Sequence, residues 1–332
     1  MFFSGHSLTD NPLPDYVGSI AQSLATPAWW NQQVVIGSPI RMRTRGSDPN
    51  ATSFSGYSNG KNRVGSGMNV VSELRQPQTL SGQRYDTLVI TERHDVVETL
   101  MWEGTVAYTR HFHERLIEGN PQATTYLYHS WLDVPDKSNP RSWIVYERAV
   151  APAWQCVASR INESLQHEGR PDRIVYLPAG LALAGLVEQT TQGAGVPGVT
   201  GSSVRETMDR IFSDSVHLTP LGVYYMALVS YASVYQRSPV GAWAPPEVNA
   251  TQAQALQAAA WQAVSSHNAT FTPPSLSQCR DLMRSSVCSA FQSFRNRPDP
   301  SGFCANTLAG TTSNSPFNFN ASTDSRYWYP AP

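Results

Sequence analysis

Across residues 1–236 the chain alternates short apolar runs with stretches of helical periodicity, and no other feature narrows its fold so far. The runs with strand character are Met1–Phe3, Gln33–Ile36, Thr87–Thr91, Thr124–His129 and Arg173–Leu177. Between them, Pro12–Ala25 sets Leu13, Tyr16, Val17, Ile20 and Leu24 on one helical face. Thr99–Glu118 spaces Met101, Thr105, Tyr108, Phe112 and Leu116 three and four residues apart, and Ile144–His167 and Pro220–Tyr235 are the other long helices. Five strands, each followed by a helix or a helix-bearing connection, predict an α/β domain with a parallel sheet covered on both faces.

Two segments depart from this rhythm. Gly46–Gly67 is rich in Ser, Asn and Gly and reads as a long surface loop. It follows the second strand, and ligands in open α/β sheets sit beyond the carboxyl ends of strands, so the loop is either a site wall or a plain solvent loop. After residue 237, Ser238-Pro239 and Trp243-Ala244-Pro245-Pro246 read as a linker, followed by an Ala/Gln-rich helix from about Thr251 to Ser265 and a Pro/Asn/Ser-rich tail. Residues 1–236 are therefore expected to form the catalytic domain, and residues 237–332 an extension clamped onto it, too poor in apolar residues for a large core of its own.

Composition removes several classes. With 24 basic and 25 acidic residues and a net charge of −1, the chain lacks the cationic surface that neutralises phosphates, so no nucleic-acid partner is expected. The longest apolar stretch, Ile174–Val187, is too short to span a bilayer and contains Pro178 and two glycines. The cysteines, Cys156, Cys279, Cys288 and Cys304, lack the close pairs of a zinc site. Their even number in a Ser/Thr/Asn-rich, Lys-poor chain points to two disulfides and a secreted or periplasmic location, against the alternative of four buried thiols in a reducing cytosol. Three pairings are open; ease of closing a short loop favours Cys279–Cys288 with Cys156–Cys304. The start on Phe2-Phe3 fits a mature chain whose leader has been exchanged for Met1.

The chemistry-bearing residues stand at the two ends of the α/β region. Phe2-Phe3-Ser4-Gly5-His6-Ser7-Leu8 is a strand running into a polar turn that carries a serine. Asp214-Ser215-Val216-His217-Leu218-Thr219-Pro220-Leu221-Gly222 holds an Asp and a His three apart, just before a helix that opens on proline. A serine nucleophile needs a base to take its proton and a carboxylate to orient that base. Asp214 and His217 can meet within one tight loop, so only Ser7 has to be delivered by the first strand.

At these residues the chain resembles the SGNH (GDSL-type) hydrolases. Gly5-His6-Ser7-Leu8 is similar to that family's first block, with His6 where Asp is usual, and Asp214-x-x-His217 with Leu218-Thr219-x-x-Gly222 is similar to its last. The resemblance covers roughly residues 1–236 and implies a flavodoxin-like three-layer α/β/α sandwich, with ester hydrolysis by a Ser7–His217–Asp214 triad and no metal or organic cofactor. It also implies an oxyanion site made of the serine N–H, a glycine after the second strand and an asparagine after the third. Gly37 is the glycine candidate. After the third strand the chain has Thr91-Glu92-Arg93-His94-Asp95 in place of Gly-x-Asn-Asp, so His94, or Arg93 one residue earlier, is the candidate donor.

Other residues invite competing readings. His111 and His113, two apart on a helix, point in different directions and suit no shared metal. Tyr126, Tyr128 and Trp131, with Trp102, are either an aromatic wall or core packing. The leading expectation is an esterase that removes acetyl or other short acyl groups from a carbohydrate. The alternatives are an O-acyltransferase, lipase or thioesterase using the same triad, and a non-catalytic carbohydrate-binding or surface protein on a degenerate hydrolase fold.

Overall fold

The computed structural model describes residues 1–77, 79–312 and 315–331. Five strands, β1 (Phe2–Gly5), β2 (Asn31–Val34), β3 (Thr87–Ile90), β4 (Thr124–Tyr128) and β5 (Ile174–Leu177), form one sheet in the order β2-β1-β3-β4-β5. Every pairing is parallel: Phe2 lies opposite both Asn31 and Leu88, Val89 opposite Tyr126, and Leu127 opposite Tyr176. Alternation along the strands sends Phe3, Val89, Tyr128 and Leu177 into one apolar core. It sends Phe2, Leu88, Ile90, Leu127 and Ile174 into the other. The result is a flavodoxin-like three-layer α/β/α sandwich.

In chain order the helices that matter are α1 (Leu13–Ser23), α2 (Ile40–Thr44), α3 (Val70–Arg75), α4 (Val96–Trp102), α5 (Thr105–Gly119), α6 (Arg141–His167), α7 (Ala179–Thr191), α8 (Val204–Ile211) and α9 (Pro220–Tyr235). Helices α1, α7 and α9 cover one face, and α3, α5 and α6 the other. The strand order reverses between β1 and β3, and the crevice beyond their carboxyl ends is the switch point where α/β sheets bind ligands.

Three departures from the sequence expectations have local causes. The single helix expected over Thr99–Glu118 is two, because Gly104 takes φ +62° between α4 and α5, and a side chain there would also press on the Tyr108 ring at 3.3 Å. Helix α7 is buried along most of its length, so its sequence shows no amphipathic period. Strand β2 lies two residues earlier than the apolar run suggested, and three of its four residues, Asn31, Gln32 and Gln33, are buried polar side chains. Gln33 is satisfied sideways: its amide donates to the carbonyls of Arg43, Gly56 and Asn59, strapping the Gly46–Gly67 loop to the sheet edge.

The residues after 237 form no core of their own among the described residues. Helix α10 (Ala250–Thr270), started by an Asn249–Gln252 capping box, packs Leu256, Ala260 and Val264 into the α9 side. The chain then crosses to the opposite face. There α11 (Leu276–Leu282), a π turn at Met283–Val287 and α12 (Cys288–Arg295) bury Cys279, Met283, Val287 and Phe291 in the second core, and α13 (Phe303–Leu308) follows. The tail is pinned by Asp324, which accepts from Arg160 and Ser164, and by Trp328, whose ring lies 4.8 Å from the Arg160 guanidinium. Among the described residues, no helix is long and apolar enough to cross a membrane.

All four cysteines are bridged, but as Cys156–Cys279 and Cys288–Cys304, which corrects the expected pairing. Cys279 and Cys288 lie nine residues apart on nearly continuous helix, roughly 12–13 Å along its axis, beyond the reach of a disulfide. The closed loops differ greatly, with separations of 123 and 16 residues. Removing Cys156–Cys279 by paired alanines is therefore expected to cost about 4–5 kcal/mol, and removing Cys288–Cys304 about 3 kcal/mol. Urea unfolding of the two double variants checks this; equal stabilities, or the reverse order, would count against it.

Candidate active site

Strand β1 ends in a tight turn, in which the Thr9 amide donates to the His6 carbonyl at 3.0 Å and Ser7 stands at the apex. The turn needs Gly5: a Cβ there would sit 1.8 Å from Thr9 Oγ1. The His6 ring is buried beneath it. Its Nε2–H donates to the Glu92 carbonyl at 3.0 Å, while Nδ1 accepts from the Leu8 amide at 3.4 Å. Burial, with the Arg43 charge nearby, pushes the His6 ring down to about 3, so it remains a neutral strut that ties the β1 turn to the β3 end.

The loop between α8 and α9 brings the other two residues. Asp214 Oδ1 accepts the amides of Val216 and His217 at 2.7 and 2.6 Å, and Oδ2 accepts Nδ1–H of His217 at 2.6 Å. That leaves His217 Nε2 as an acceptor, and Ser7 Oγ lies 3.0 Å from it. Although burial opposes ionisation, the two amides and the imidazole hold the Asp214 carboxyl down at about 2. The structure thus brings together Ser7, Asp214 and His217 from the two ends of the α/β region.

What positions this loop was not visible in the sequence. The segment after β4 is fixed from below by α6: Glu147 accepts the Leu132 amide, and the Trp143 indole donates to the Leu132 carbonyl, both at 2.8 Å. It then grips the Asp214–His217 loop. The Trp131 indole donates to the Val216 carbonyl at 2.9 Å, the Val134 amide to Ser215 at 2.7 Å, and Lys137 to Phe212 at 2.8 Å. Trp131 also lines a pocket of about 130 Å³ with Ser7, Leu13, His217, Leu218 and Met226. The remaining aromatic candidates do not join it: Tyr126 and Tyr128 pack in the core, and Trp102 lies at the far end of α4.

The oxyanion candidates occupy three different situations. Gly37 sits in an exposed turn two residues past the Val35 amide, which hydrogen-bonds the end of β1. His94 is partly buried with its ring 6.0 Å from that of His6; burial lowers its pKa against the opposing charges of Asp95 and Asp133. The Arg93 guanidinium is engaged by Asp95, at 2.7 and 3.2 Å, and so is not free to face the serine turn. The Gly46–Gly67 loop reaches toward the site through the ion pair of Lys61 with Asp10 at 2.6 Å, Asp10 being part of the pocket lining beside Ser7. His111 and His113 are occupied elsewhere, with Tyr57 and the Pro330 carbonyl, and with Thr125 and Asp172. Among the described residues no three metal-ligating side chains come together.

Behind the turn lies a buried charge network. Arg43 donates to Ser4 Oγ at 3.1 Å, to the Ser38 carbonyl at 2.9 Å and to the Thr91 carbonyl. Glu92 accepts the amides of Ile40 and Arg93 at 2.9 and 2.8 Å and the Thr105 hydroxyl at 2.9 Å.

No protein-family model matches the chain, and no curated protein is similar to it in sequence. Among solved structures, a DUF4886 family protein from Bacteroides uniformis shares the fold, with a TM-score of 0.54 and 12% identity over 82% of this chain and 96% of its own. At that identity the likeness concerns the fold alone.

Burial raises the Glu92 carboxyl from its ordinary 4.5 to about 6, with Arg43 opposing. The folded chain then holds a proton over this window that the unfolded chain has released, so stability falls as pH rises from about 4.5 to 6. The stability advantage of wild type over Glu92→Gln is expected to shrink by on the order of 2 kcal/mol between pH 4.5 and 6.5. Urea unfolding at the two pH values measures it; a difference that does not change with pH would mean that Glu92 titrates alike in both states.

Proposed function

We propose that this chain is a serine ester hydrolase of the SGNH kind, which removes acetyl or other short acyl groups from a carbohydrate in an oxidising compartment outside the cytosol. The observation that carries the reading is the unbroken relay from Asp214 to His217 to Ser7, with contacts of 2.6 and 3.0 Å, built from segments about 200 residues apart. In this mechanism Ser7 Oγ attacks the ester carbonyl and its proton passes to His217 Nε2. Asp214 stabilises the imidazolium. The tetrahedral oxyanion is met by the Ser7 and Gly37 amides and by the neutral His94 ring. Collapse returns the proton to the leaving alcohol; water, deprotonated by His217, then releases the acid. Two disulfides support the oxidising compartment.

The size of the pocket beside Ser7 supports a short acyl group. Its volume is about 130 Å³, and a cavity of about 150 Å³ holds a guest no larger than benzene. Among p-nitrophenyl esters, kcat/KM is expected to be highest for acetate or propionate and at least tenfold lower for octanoate. Ser7→Ala is expected to lower kcat on the order of 10³-fold or more with an unchanged melting curve. A folded Ser7→Ala protein that keeps most of its activity would remove the assignment, and a preference for long chains would remove the substrate size.

His94 is tested separately. His94→Ala is expected to cost on the order of 10²–10³ in kcat, whereas His94→Asn, which keeps an N–H donor, is expected to retain substantial activity. An alanine variant within about twofold of wild type in kcat/KM would exclude His94 from the oxyanion site.

A further inference from the structure

A cleft of about 840 Å³ lies away from Ser7, between the α4–α5 corner and the C-terminal tail. That volume falls within the range of roughly 300–1,000 Å³ typical of small-molecule sites. Three aromatic rings border it, Trp102, Tyr327 and Tyr329, and the first and last are braced from behind. Trp102 is 67% exposed, yet is stacked on Phe303 with centroids 5.0 Å apart. Tyr329 is stacked on Tyr108 at 4.7 Å. Rings held in this way offer a flat apolar face at little further cost in side-chain entropy.

The polar groups of the cleft are chiefly donors, and one of them, Arg326, brings a positive charge. Asn320 commits its carbonyl oxygen to the amide and hydroxyl of Ser322, which leaves its two N–H groups uncommitted among the described residues. Arg326 is exposed and forms no ion pair among the described residues. Asp324, at the floor, is saturated by Arg160, Ser164 and Trp328, so no free carboxylate faces the cleft.

We propose that this cleft is a binding site for an oligosaccharide, distinct from the Ser7 pocket. A sugar ring presents an apolar C–H face that suits a braced indole or phenol and a rim of hydroxyls that accept from amide and guanidinium donors. The site exists because Gly104 breaks the helix and opens the corner, and because the tail, drawn along α5 and α6, forms the opposite wall. Helix α4 begins just after His94 and ends at Trp102, a separation of about 12 Å along its axis. A glycan held at Trp102 is thereby concentrated near the carboxyl end of the sheet.

The test is affinity electrophoresis of the full chain in gels that contain a β-glucan, a xylan or a mannan, with tryptophan fluorescence titration to give Kd. At least one polysaccharide is expected to retard the wild-type protein. Trp102→Ala is expected to raise Kd about tenfold, and Trp102→Phe less. Melting temperature and p-nitrophenyl acetate hydrolysis should stay unchanged in both, since Trp102 lines neither the Ser7 pocket nor the core. Asn320→Ala, at an exposed position, supplies a second variant that weakens binding should Trp102→Ala fail to fold. Absence of retardation by all three polysaccharides, or wild-type binding by the folded Trp102 and Asn320 variants, would overturn the proposal. Failure of the hydrolase reading looks different: glycan binding would persist while wild type cleaved no ester.

Discussion

A buried arginine and a buried glutamate, neither with measurable exposure, hold the carboxyl ends of the strands in place. Removing each ion from water costs several kcal/mol, and only a complete set of partners offsets that cost. Arg43 satisfies it by joining Ser4 on β1, Ser38 after β2 and Thr91 after β3. Glu92 does so by holding the start of α2 through the Ile40 amide and the start of α5 through Thr105. The main-chain carbonyl of Glu92 then accepts from His6 and, at 3.2 Å, from Ser130 after β4. Four strand ends therefore meet on two side chains and one carbonyl, and Ser7 stands directly above them.

This arrangement follows from the parallel sheet. Both faces of such a sheet are sealed by helices, so polar side chains collect where the strands stop. In this molecule the same location supplies rigidity and carries Ser7 beside His217. The His6 ring is kept neutral by burial and spends both nitrogens on the turn and the β3 end. Its role is to orient the serine turn, and it places no second charge beside Asp214 and His217.

The features legible in the sequence were those set by local pattern. Five apolar runs, a serine after the first and an Asp-x-x-His loop before the last domain helix were sufficient to anticipate the sheet, and the residues that meet at Ser7. What escaped depends on long-range partners. The polarity of β2 is meaningful only once the Gly46–Gly67 loop supplies carbonyls to Gln33. The Gly104 break looks like ordinary periodicity until the backbone adopts φ +62°. The cysteine pairing differed because two residues that seemed to enclose a short loop are nine apart on a nearly continuous helix, too far along its axis to bridge. The grip of the β4 loop on the Asp214–His217 loop runs through main-chain carbonyls, which leave no trace in residue identity.

Trp131 joins two structural tasks. Its ring is 1% exposed and walls the pocket beside Ser7, while its indole N–H holds the Val216 carbonyl, one residue from His217. A side chain that fills a pocket wall and also anchors the base loop cannot yield to a bulky acyl group without moving both. On the proposed chemistry, an oversized acyl chain is penalised twice. It lacks room beside Ser7, and in making room it draws His217 away from the 3.0 Å contact on which proton transfer depends. Selectivity for short chains would then appear in kcat as well as in KM, because the wall that measures the acyl group is also the support that holds the base.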